Sequence, residues 1–317
     1  MSGQITKESD LAFERSKMTL NTVGNYVGSA ASLLEAEYDA EAHENLHIVD
    51  QLIAERGGAL SRSVLWPVIK PLLHRVLHYH EAVSMADEVA TMSAADCLRR
   101  ISRRLKLDVT TSGLENIPAQ GGFILVCNHP TGIADGIAMW DALAHKRPDM
   151  AVFANRDAIR VNRHLKGTII PVEWREGHKP RDKSRETLRL TTDAIKNDKG
   201  IVVFPSGRIA YWDDGGLVER PWQTSAVMLA RKYNLPVVPA NMSSRNSGLF
   251  YWFANWSTEL RDMTVFHELL NKQNTPFEVT FGDVIDPQIL EGDIQTITDN
   301  LQAFCTRTLA KDPKARF

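Results

Sequence analysis

From residue 107 onward, the sequence predicts an α/β fold with a mainly parallel central sheet flanked by helices, and a helical region precedes it. Short apolar runs alternate with helical segments in this part of the chain, which is typical of parallel strands joined by crossover helices. Earlier in the chain, apolar residues recur at spacings of three and four, as on the buried face of a helix. The chain has 317 residues, of which 43% are apolar, and this is enough for a sizeable core. We therefore predict a helical N-terminal region over 1–106 and an α/β domain over 107–317.

The N-terminal region is predicted to contain several helices. The first helical pattern covers 20–56 and stops at Gly57–Gly58, because adjacent glycines break helices. An apolar helical pattern resumes over 64–79, and Pro67 and Pro71 are expected to interrupt it.

Two segments of this region are suited to a membrane surface. The apolar segment 64–79 carries Trp66, Tyr79 and basic residues, a composition found in helices that lie in the membrane interface. Segment 98–106 has five positive charges in nine residues, and Ser93 is expected to cap its helix. The alternative is that both helices pack on the α/β domain and leave a solvated basic face.

Strands and helices alternate along the α/β region. Six short apolar runs predict strands, and longer amphipathic runs predict the helices between them. In such sheets, binding and catalytic residues gather where strands end and helices begin. Strands are expected at 121–128, 149–155, 167–174, 200–207, 235–242 and 277–285, and helices at 134–146, 180–198, 220–234 and 293–312.

Charge and cysteine content argue against several classes of protein. The formal net charge is −2, with 37 basic and 39 acidic residues, so no overall basic field points to nucleic acid. Cys97, Cys127 and Cys305 lack zinc-type spacing and a disulfide framework, which indicates a reducing cytosol. The N-terminus is polar, and no apolar stretch reaches about 18 residues, so neither a secretory signal nor a membrane span is expected.

The segment VCNHPTGIADG (126–136) lies where a buried strand ends and a helix begins. Gly132 can supply a positive φ for the turn. The His129 imidazole can take a proton near neutral pH, and Asp135 can fold back to hydrogen-bond the far ring nitrogen and fix its tautomer. We predict that these two residues form a catalytic pair. The alternative is a polar turn with an aspartate cap and a hydrogen-bonded histidine.

A second loop has the same design. In VVFPSGRIAYW (202–212), an apolar strand ends in proline and small residues. Backbone N–H groups around Gly207, together with Arg208, are expected to bind an anion or a developing oxyanion. Arg245 and Asn246 follow the next strand, and arginine forks match phosphate, sulfonate or carboxylate head groups.

Together and in this order, these segments resemble the motifs of the lysophospholipid acyltransferase superfamily, also called the glycerolipid or phosphate acyltransferases. That family has an NH…D dyad, an arginine-bearing segment, an FPEGTR turn and an apolar strand containing VP. The resemblance covers roughly residues 107–290 and implies an α/β acyltransferase fold. The corresponding segments here are GLENIP (113–118), NHPTGIADG (128–136), FANRDAIR (153–160), FPSGR (204–208) and VVPA (237–240).

Two departures from the commonest pattern resemble one branch, which contains bacterial hemolysin-like and ornithine-lipid acyltransferases. Five residues separate His129 from Asp135, where the commonest dyad has four, and Ser206 stands where the family has glutamate. That branch has an HPxGxxDG loop and an FPxG turn without the glutamate. It continues with RPW, LARK and RNSxLFY segments, which are found here at Arg220–Trp222, Leu229–Lys232 and Arg245–Tyr251.

The resemblance implies acyl transfer without an acyl-enzyme. His129 would take a proton from the acceptor as it attacks a fatty acyl thioester, and Asp135 would orient the imidazole. Cys127 lies in an apolar strand and is expected to be a small buried side chain rather than a nucleophile. The further residues implied in substrate binding or oxyanion stabilisation are Asn128, Arg156, Ser206, Gly207, Arg208, Arg245 and Asn246.

The favoured prediction is O-acylation of a lyso-lipid, either lysophosphatidic acid or a lyso-aminolipid, in bacterial membrane lipid synthesis. The donor would be an acyl carrier protein or coenzyme A thioester, whose thiolate leaves easily, so no metal and no redox cofactor is expected. Two alternatives stay open, namely N-acylation of an amino acid such as ornithine and a non-catalytic lipid-binding relative. We expect a peripheral protein on the inner, cytoplasmic face of the cytoplasmic membrane.

Overall fold

The structure, a computed structural model, describes residues 46–64, 66–172 and 181–317. Residues 52–317 form one compact unit, and residues 46–51 belong to a second unit. None of the described helices combines the length and the apolar composition that are needed to cross a bilayer.

Four helices of the described chain precede the sheet. The part of the predicted helical pattern 20–56 that comes before residue 46 lies outside the described residues, and the boundary predicted at residue 106 stays a prediction. Ser93 caps the fourth helix as predicted, because its hydroxyl accepts the Asp96 N–H at 3.2 Å. The helices are α1 (Ile48–Ser61), α2 (Trp66–Val76), α3 (Tyr79–Val89) and α4 (Ala94–Leu105).

Glycine and proline act differently in the first two helices. Gly58 has a φ of 48° and a ψ of −120°, which kinks α1 at the predicted break. The prediction that Pro67 and Pro71 interrupt the next helix is wrong, because α2 runs through both. Pro67 lies in the first turn, where its missing N–H is not needed. Pro71 has no N–H to donate to the carbonyl of Pro67. Pro67 is exposed, so water can form a hydrogen bond with that carbonyl instead.

The central sheet is mixed and mostly parallel. The strands of the described chain are β1 (Asp108–Ser112), β2 (Phe123–Cys127), β3 (Ala151–Asn155), β4 (Ile169–Val172), β5 (Gly200–Val203), β6 (Tyr211–Asp213), β7 (Gly216–Val218), β8 (Val237–Ser243) and β9 (Pro276–Phe281). Seven of them form one sheet in the order β1–β9–β8–β2–β5–β3–β4, and β6 and β7 form a separate hairpin. The strands from β8 to β4 are parallel, whereas β9 pairs antiparallel with β8 and parallel with β1. The predicted fold class is confirmed.

Helices cover both faces of this sheet. Residues Phe123, Leu125 and Cys127 of β2 pack on one side with helices before and after the strand. Ile124 and Val126 pack on the other side with later helices. A strand that is covered on both faces is a continuous apolar run in the sequence. The helices that follow β2 are α5 (Ile133–Leu143), α6 (Asp157–Val161), α7 (Arg181–Lys196), α8 (Ser225–Tyr233), α9 (Gly248–Trp256), α10 (Thr258–Met263), α11 (Val265–Leu270) and α12 (Ile294–Ala303).

Three features of the fold differ from the prediction. Strand β1 was not predicted, because its sequence DVTTS is polar and mostly exposed at the sheet edge. The hairpin was also missed, although Asp214 and Gly215 at its turn both have a positive φ and form a dipeptide typical of tight hairpins. The helix predicted at 220–234 begins only at Ser225, because the chain before it is used to bury Trp222.

Candidate active site

The loops that follow β2, β5 and β8 meet at one edge of the sheet. These three strands are parallel neighbours, so their carboxyl ends lie side by side. The first loop carries His129, the second carries Ser206–Arg208, and the third carries Arg245 and Asn246. His129 and Ser206–Arg208 line the same cavity.

His129 and Asp135 are in direct contact. The distance between His129 Nδ1 and Asp135 Oδ2 is 2.8 Å, and the Asp135 side chain is fully buried. The oxygen lies off the direction of the Nδ1–H bond, so the contact has ion-pair distance without the alignment of a good hydrogen bond. Contacts between catalytic groups are often poorly aligned before substrate binds. This arrangement leaves Nε2 as the ring nitrogen that can take a proton.

The loop between the two residues holds the aspartate in place. Asp135 Oδ2 accepts the Thr131 N–H and the Gly132 N–H, each at 2.9 Å, and Oδ1 accepts the Thr131 hydroxyl. Gly132 has a φ of 97°, as predicted, and a Cβ there would lie 2.7 Å from Ile209 Cδ1. The turn therefore requires glycine, and it points the carboxylate back toward the imidazole.

The backbone of His129 is fixed by the segment that follows β5. Its N–H donates to Glu219 Oε1 at 2.8 Å, and its carbonyl accepts the Ala210 N–H at 2.9 Å. The imidazole stacks on Phe204 with ring centroids 4.5 Å apart. Only 18% of the His129 side chain is exposed, so the ring is held firmly but remains accessible from the cavity.

In the turn after β5, where backbone N–H groups around Gly207 were expected to bind an oxyanion, the N–H of Gly207 itself is used within the turn. It donates to the Phe204 carbonyl at 2.9 Å, which closes the turn, so this N–H is not available to an oxyanion in the structure. The Ser206 hydroxyl donates to the Arg208 carbonyl at 2.9 Å. Arg208 is exposed and lines the cavity, so its guanidinium is the cationic group that this turn offers to a ligand.

The side chain of Asn128, which was expected to take part in substrate or oxyanion binding, forms hydrogen bonds within the fold. Its Nδ2 donates to the Met242 carbonyl at 2.8 Å, and its Oδ1 accepts the Met242 N–H at 2.7 Å. Both amide groups are therefore used to link β2 to β8.

The remaining predicted site residues lie outside the described lining of the cavity. Arg156 follows β3, and its Nη1 bonds Glu186 Oε2 of α7 at 2.6 Å. Arg245 is exposed. Asn246 is buried, and its side-chain amide has no hydrogen-bond partner among the described residues. The structure thus brings Arg208, but not Arg156, to the cavity of His129.

Sequence reasoning missed Glu219, which follows the hairpin. Its Oε2 accepts the Trp222 indole N–H at 3.2 Å, while Oε1 accepts the His129 N–H. Burial raises the pKa of the Glu219 carboxyl, and the hydrogen bond from the His129 N–H opposes that rise. Its position next to the RPW segment was the available signal, because that segment was already part of the resemblance.

A cavity of 1470 Å³ opens at His129. It is larger than the roughly 300–1,000 Å³ that small-molecule sites usually have. Burial raises the pKa of the Cys127 thiol well above its usual range, so this neighbour of the site is a poor nucleophile. The cavity is lined largely by apolar side chains, among them Ile133, Ile137, Trp140, Val152, Phe204 and Phe250.

The chain is similar to several known proteins. A family model described as Acyltransferase matches residues 108–243, which include the His129–Asp135 loop and the turn after β5. The lyso-glycine lipid O-acyltransferase of Bacteroides thetaiotaomicron is 23% identical over 225 residues, covering 69% of this chain and 81% of the relative. The protein of the same name from Phocaeicola vulgatus is 23% identical over 249 residues, covering 77% and 87%. The crystal structure of the 1-acyl-sn-glycerophosphate (LPA) acyltransferase PlsC from Thermotoga maritima aligns with a TM-score of 0.42 and 18% identity, covering 84% and 97%.

The fold, the site and these relatives define an acyl-transferring enzyme. Within that class, the family model and these relatives support the glycerolipid acyltransferase superfamily.

Proposed function

We propose that this enzyme moves a fatty acyl group from an acyl carrier protein or coenzyme A thioester to the hydroxyl of a lyso-lipid. The observation that carries the proposal is the His129–Asp135 pair at a large apolar cavity. A base beside an apolar cavity suits a reaction between a long acyl chain and a polar acceptor.

The proposed reaction has no acyl-enzyme. His129 Nε2 removes the proton of the acceptor hydroxyl as the oxygen attacks the thioester carbonyl, and Asp135 stabilises the imidazolium that forms. The tetrahedral intermediate collapses, the carbon–sulfur bond breaks, and the imidazolium returns its proton to the thiolate. Arg208 is the proposed partner of the oxyanion or of an anionic head group. No metal and no redox cofactor is needed, because a thiolate is a good leaving group.

We propose a lyso-aminolipid as the acceptor. The two curated relatives are named lyso-glycine lipid O-acyltransferases, and each aligns with more than two thirds of this chain. The size of the cavity also supports an acceptor that already carries a chain, because a free amino acid such as ornithine needs only a small polar pocket.

The enzyme is further proposed to work at the inner face of the cytoplasmic membrane through α2. Val68, Leu72 and Val76 are spaced by four residues, and 76%, 65% and 40% of each is exposed. A stripe of exposed apolar residues on one helix face suits the interface of a bilayer. Arg75 is exposed on the same helix and suits anionic lipid.

The basic segment 98–106 is a weaker candidate for the lipid contact. Glu88 bonds both Arg100 and Arg104, and Asp96 bonds Arg99 at 2.6 Å. These carboxylates offset much of the positive charge that the segment would otherwise present to anionic lipid.

The reaction is tested by incubating the protein with an acyl thioester and a bacterial lyso-lipid extract, and then identifying the acylated species by mass. We expect His129→Ala to lower turnover by about 10²–10⁴-fold, the usual contribution of a general base. Asp135→Asn should lower turnover as well, because its amide presents donors to the Thr131 and Gly132 N–H groups. His164→Ala, at an exposed histidine in the short 3-10 helix Arg163–Leu165, is the matched control and should keep full turnover. Unchanged turnover in His129→Ala, or acylation of a free amino acid alone, would contradict the proposal.

A further inference from the structure

We propose that Glu219 is a positioning residue for His129, acting through the His129 backbone N–H and through its own negative charge. The inference rests on the proposed function of His129 as the general base. It adds a second carboxylate, 84 residues beyond Asp135 in the chain, to the groups that control the imidazole.

Both oxygens of Glu219 are engaged, and each has a different donor. Oε1 accepts the His129 N–H at 2.8 Å, and Oε2 accepts the Trp222 indole N–H at 3.2 Å. Trp222 is only 2% exposed, so the indole is a fixed anchor for the carboxylate. The side chain of Ser206 also lies close to the carboxylate. Two N–H donors on two oxygens are the pattern that a carboxylate satisfies and an amide cannot.

The hydrogen bond from His129 to Glu219 is one of two hydrogen bonds that hold the histidine backbone. The His129 N–H is held by Glu219, and the His129 carbonyl is held by the Ala210 N–H at 2.9 Å. Fixing the peptide groups on both sides of one Cα fixes the direction of its Cα–Cβ bond, and the contacts with Phe204 and Asp135 hold the ring itself. Because catalytic geometry must be held to about 0.5 Å, the backbone bonds help to set where Nε2 meets the acceptor.

The charge of Glu219 acts on the ring as well as on the backbone. Glu219 and His129 interact electrostatically, and that interaction favours the ionised carboxylate when the imidazole is charged. By the same coupling, the carboxylate favours the imidazolium that forms during proton transfer. Asp135 contacts the ring directly, and Glu219 acts from the backbone side.

Glu219→Gln tests the proposal in the full-length enzyme, with acyl thioester and lyso-lipid as substrates. We expect kcat to fall by about 10–100-fold, the range found when a residue that orients a metal-bound histidine is lost, with the KM for the thioester unchanged. The imidazole must be neutral to act as a base, so losing the negative charge should move the acid limb of the pH profile to lower pH.

Trp222→Phe is the matched control, because it removes the other donor to the same carboxylate and leaves the His129 bond in place. Its loss of kcat should be several-fold smaller than that of Glu219→Gln. Equal losses in the two variants, with an unmoved pH profile, would mean that Glu219 merely supports the fold.

A titration that needs no turnover separates this proposal from the function itself. With ¹³C-labelled histidine, the His129 ring resonance, assigned by its absence in His129→Ala, should titrate at lower pH in Glu219→Gln than in the wild type. If Glu219→Gln does not fold, the double variant E219Q/W222F is titrated instead, because it removes the indole donor that would oppose the new amide. An unshifted titration would overturn the proposal. A wild-type enzyme without acyl transfer would refute only the proposed function.

Discussion

The guanidinium of Arg156 is held by a helix of the fold, although its place in the sequence suggested a ligand for the head group. Its Nη1 lies 2.6 Å from Glu186 Oε2, and Lys166 Nζ lies 3.1 Å from the other oxygen. The hydrogen bond from Arg156 is the main cause of the lowered pKa of the Glu186 carboxyl. These contacts fasten the end of β3 to α7, so we interpret Arg156 as a residue that stabilises the edge of the site.

Arg156→Ala should therefore lower stability more than it lowers catalysis. We expect a loss of about 1 kcal/mol in the free energy of unfolding at pH 7, with KM unchanged. Because the folded pKa of Glu186 lies below its unfolded value, the contribution of the pair is complete above the unfolded pKa and disappears as pH falls through the folded value. Urea unfolding at pH 7 and at about pH 3.5 should thus show a larger loss at pH 7.

Arg163→Ala is the control for this experiment, because Arg163 is an exposed arginine seven residues further along the chain. It should leave the unfolding free energy unchanged at both pH values. A raised KM for the lyso-lipid in Arg156→Ala would instead indicate that Arg156 binds the lyso-lipid.

Residues whose partners are near in the chain could be predicted, and those with distant partners could not. His129, Gly132 and Asp135 lie within seven residues, so loop geometry alone indicated their contact. Asn128 was misassigned because its partner on β8 is more than a hundred residues away. Glu219 was missed for the same reason, since 90 residues separate it from the N–H that it accepts.

Among the elements, the buried strands were the best predicted and the exposed ones the worst. The run 249–256 is rich in aromatic residues. It forms α9, in which Phe250 is buried and Trp252 and Trp256 are 55% and 75% exposed. Ser247 begins this helix by accepting the Phe250 N–H. A run that is apolar on all sides cannot indicate which face is buried, so only the packing decides it.

Helix α2 provides the test of membrane binding at this scale. The double variant V68E/L72E should weaken sedimentation with anionic vesicles by about tenfold or more, because each apolar side chain buried in lipid contributes about 1.5–3 kcal/mol. Ile289→Glu is the control, since Ile289 is 59% exposed in a different element. Equal binding by all three proteins would show that α2 is not the lipid contact.

At the scale of the whole molecule, the topology brings the candidate catalytic residues to the apolar cavity. The alternation of strands and helices predicted the parallel strands and therefore the shared edge at which His129 and Ser206–Arg208 meet. The reversal of β9 against β8 could not be predicted, because strand direction leaves no mark on hydrophobic periodicity. The cavity is lined by residues of many separate elements, so its size could not be predicted from the sequence.

A ligand with a long chain should stabilise the molecule if the cavity receives the acyl group. We expect a non-hydrolysable palmitoyl thioether of coenzyme A, at about 100 times its Kd, to add about 2.7 kcal/mol and raise the melting temperature by several degrees. Coenzyme A without a chain, used at the same concentration, is the control and should raise the melting temperature much less. Equal shifts would place the chain outside the cavity.

The side-chain amide of Asn128 forms the two hydrogen bonds with the Met242 backbone that the peptide groups of a neighbouring strand would form. Hydrogen bonding thus continues for one position after the backbone has left the plane of the sheet. The backbone next to His129, the proposed proton acceptor, is therefore tied to the sheet, while the imidazole lines the cavity. We therefore expect the imidazole to keep its position when the surrounding loops move.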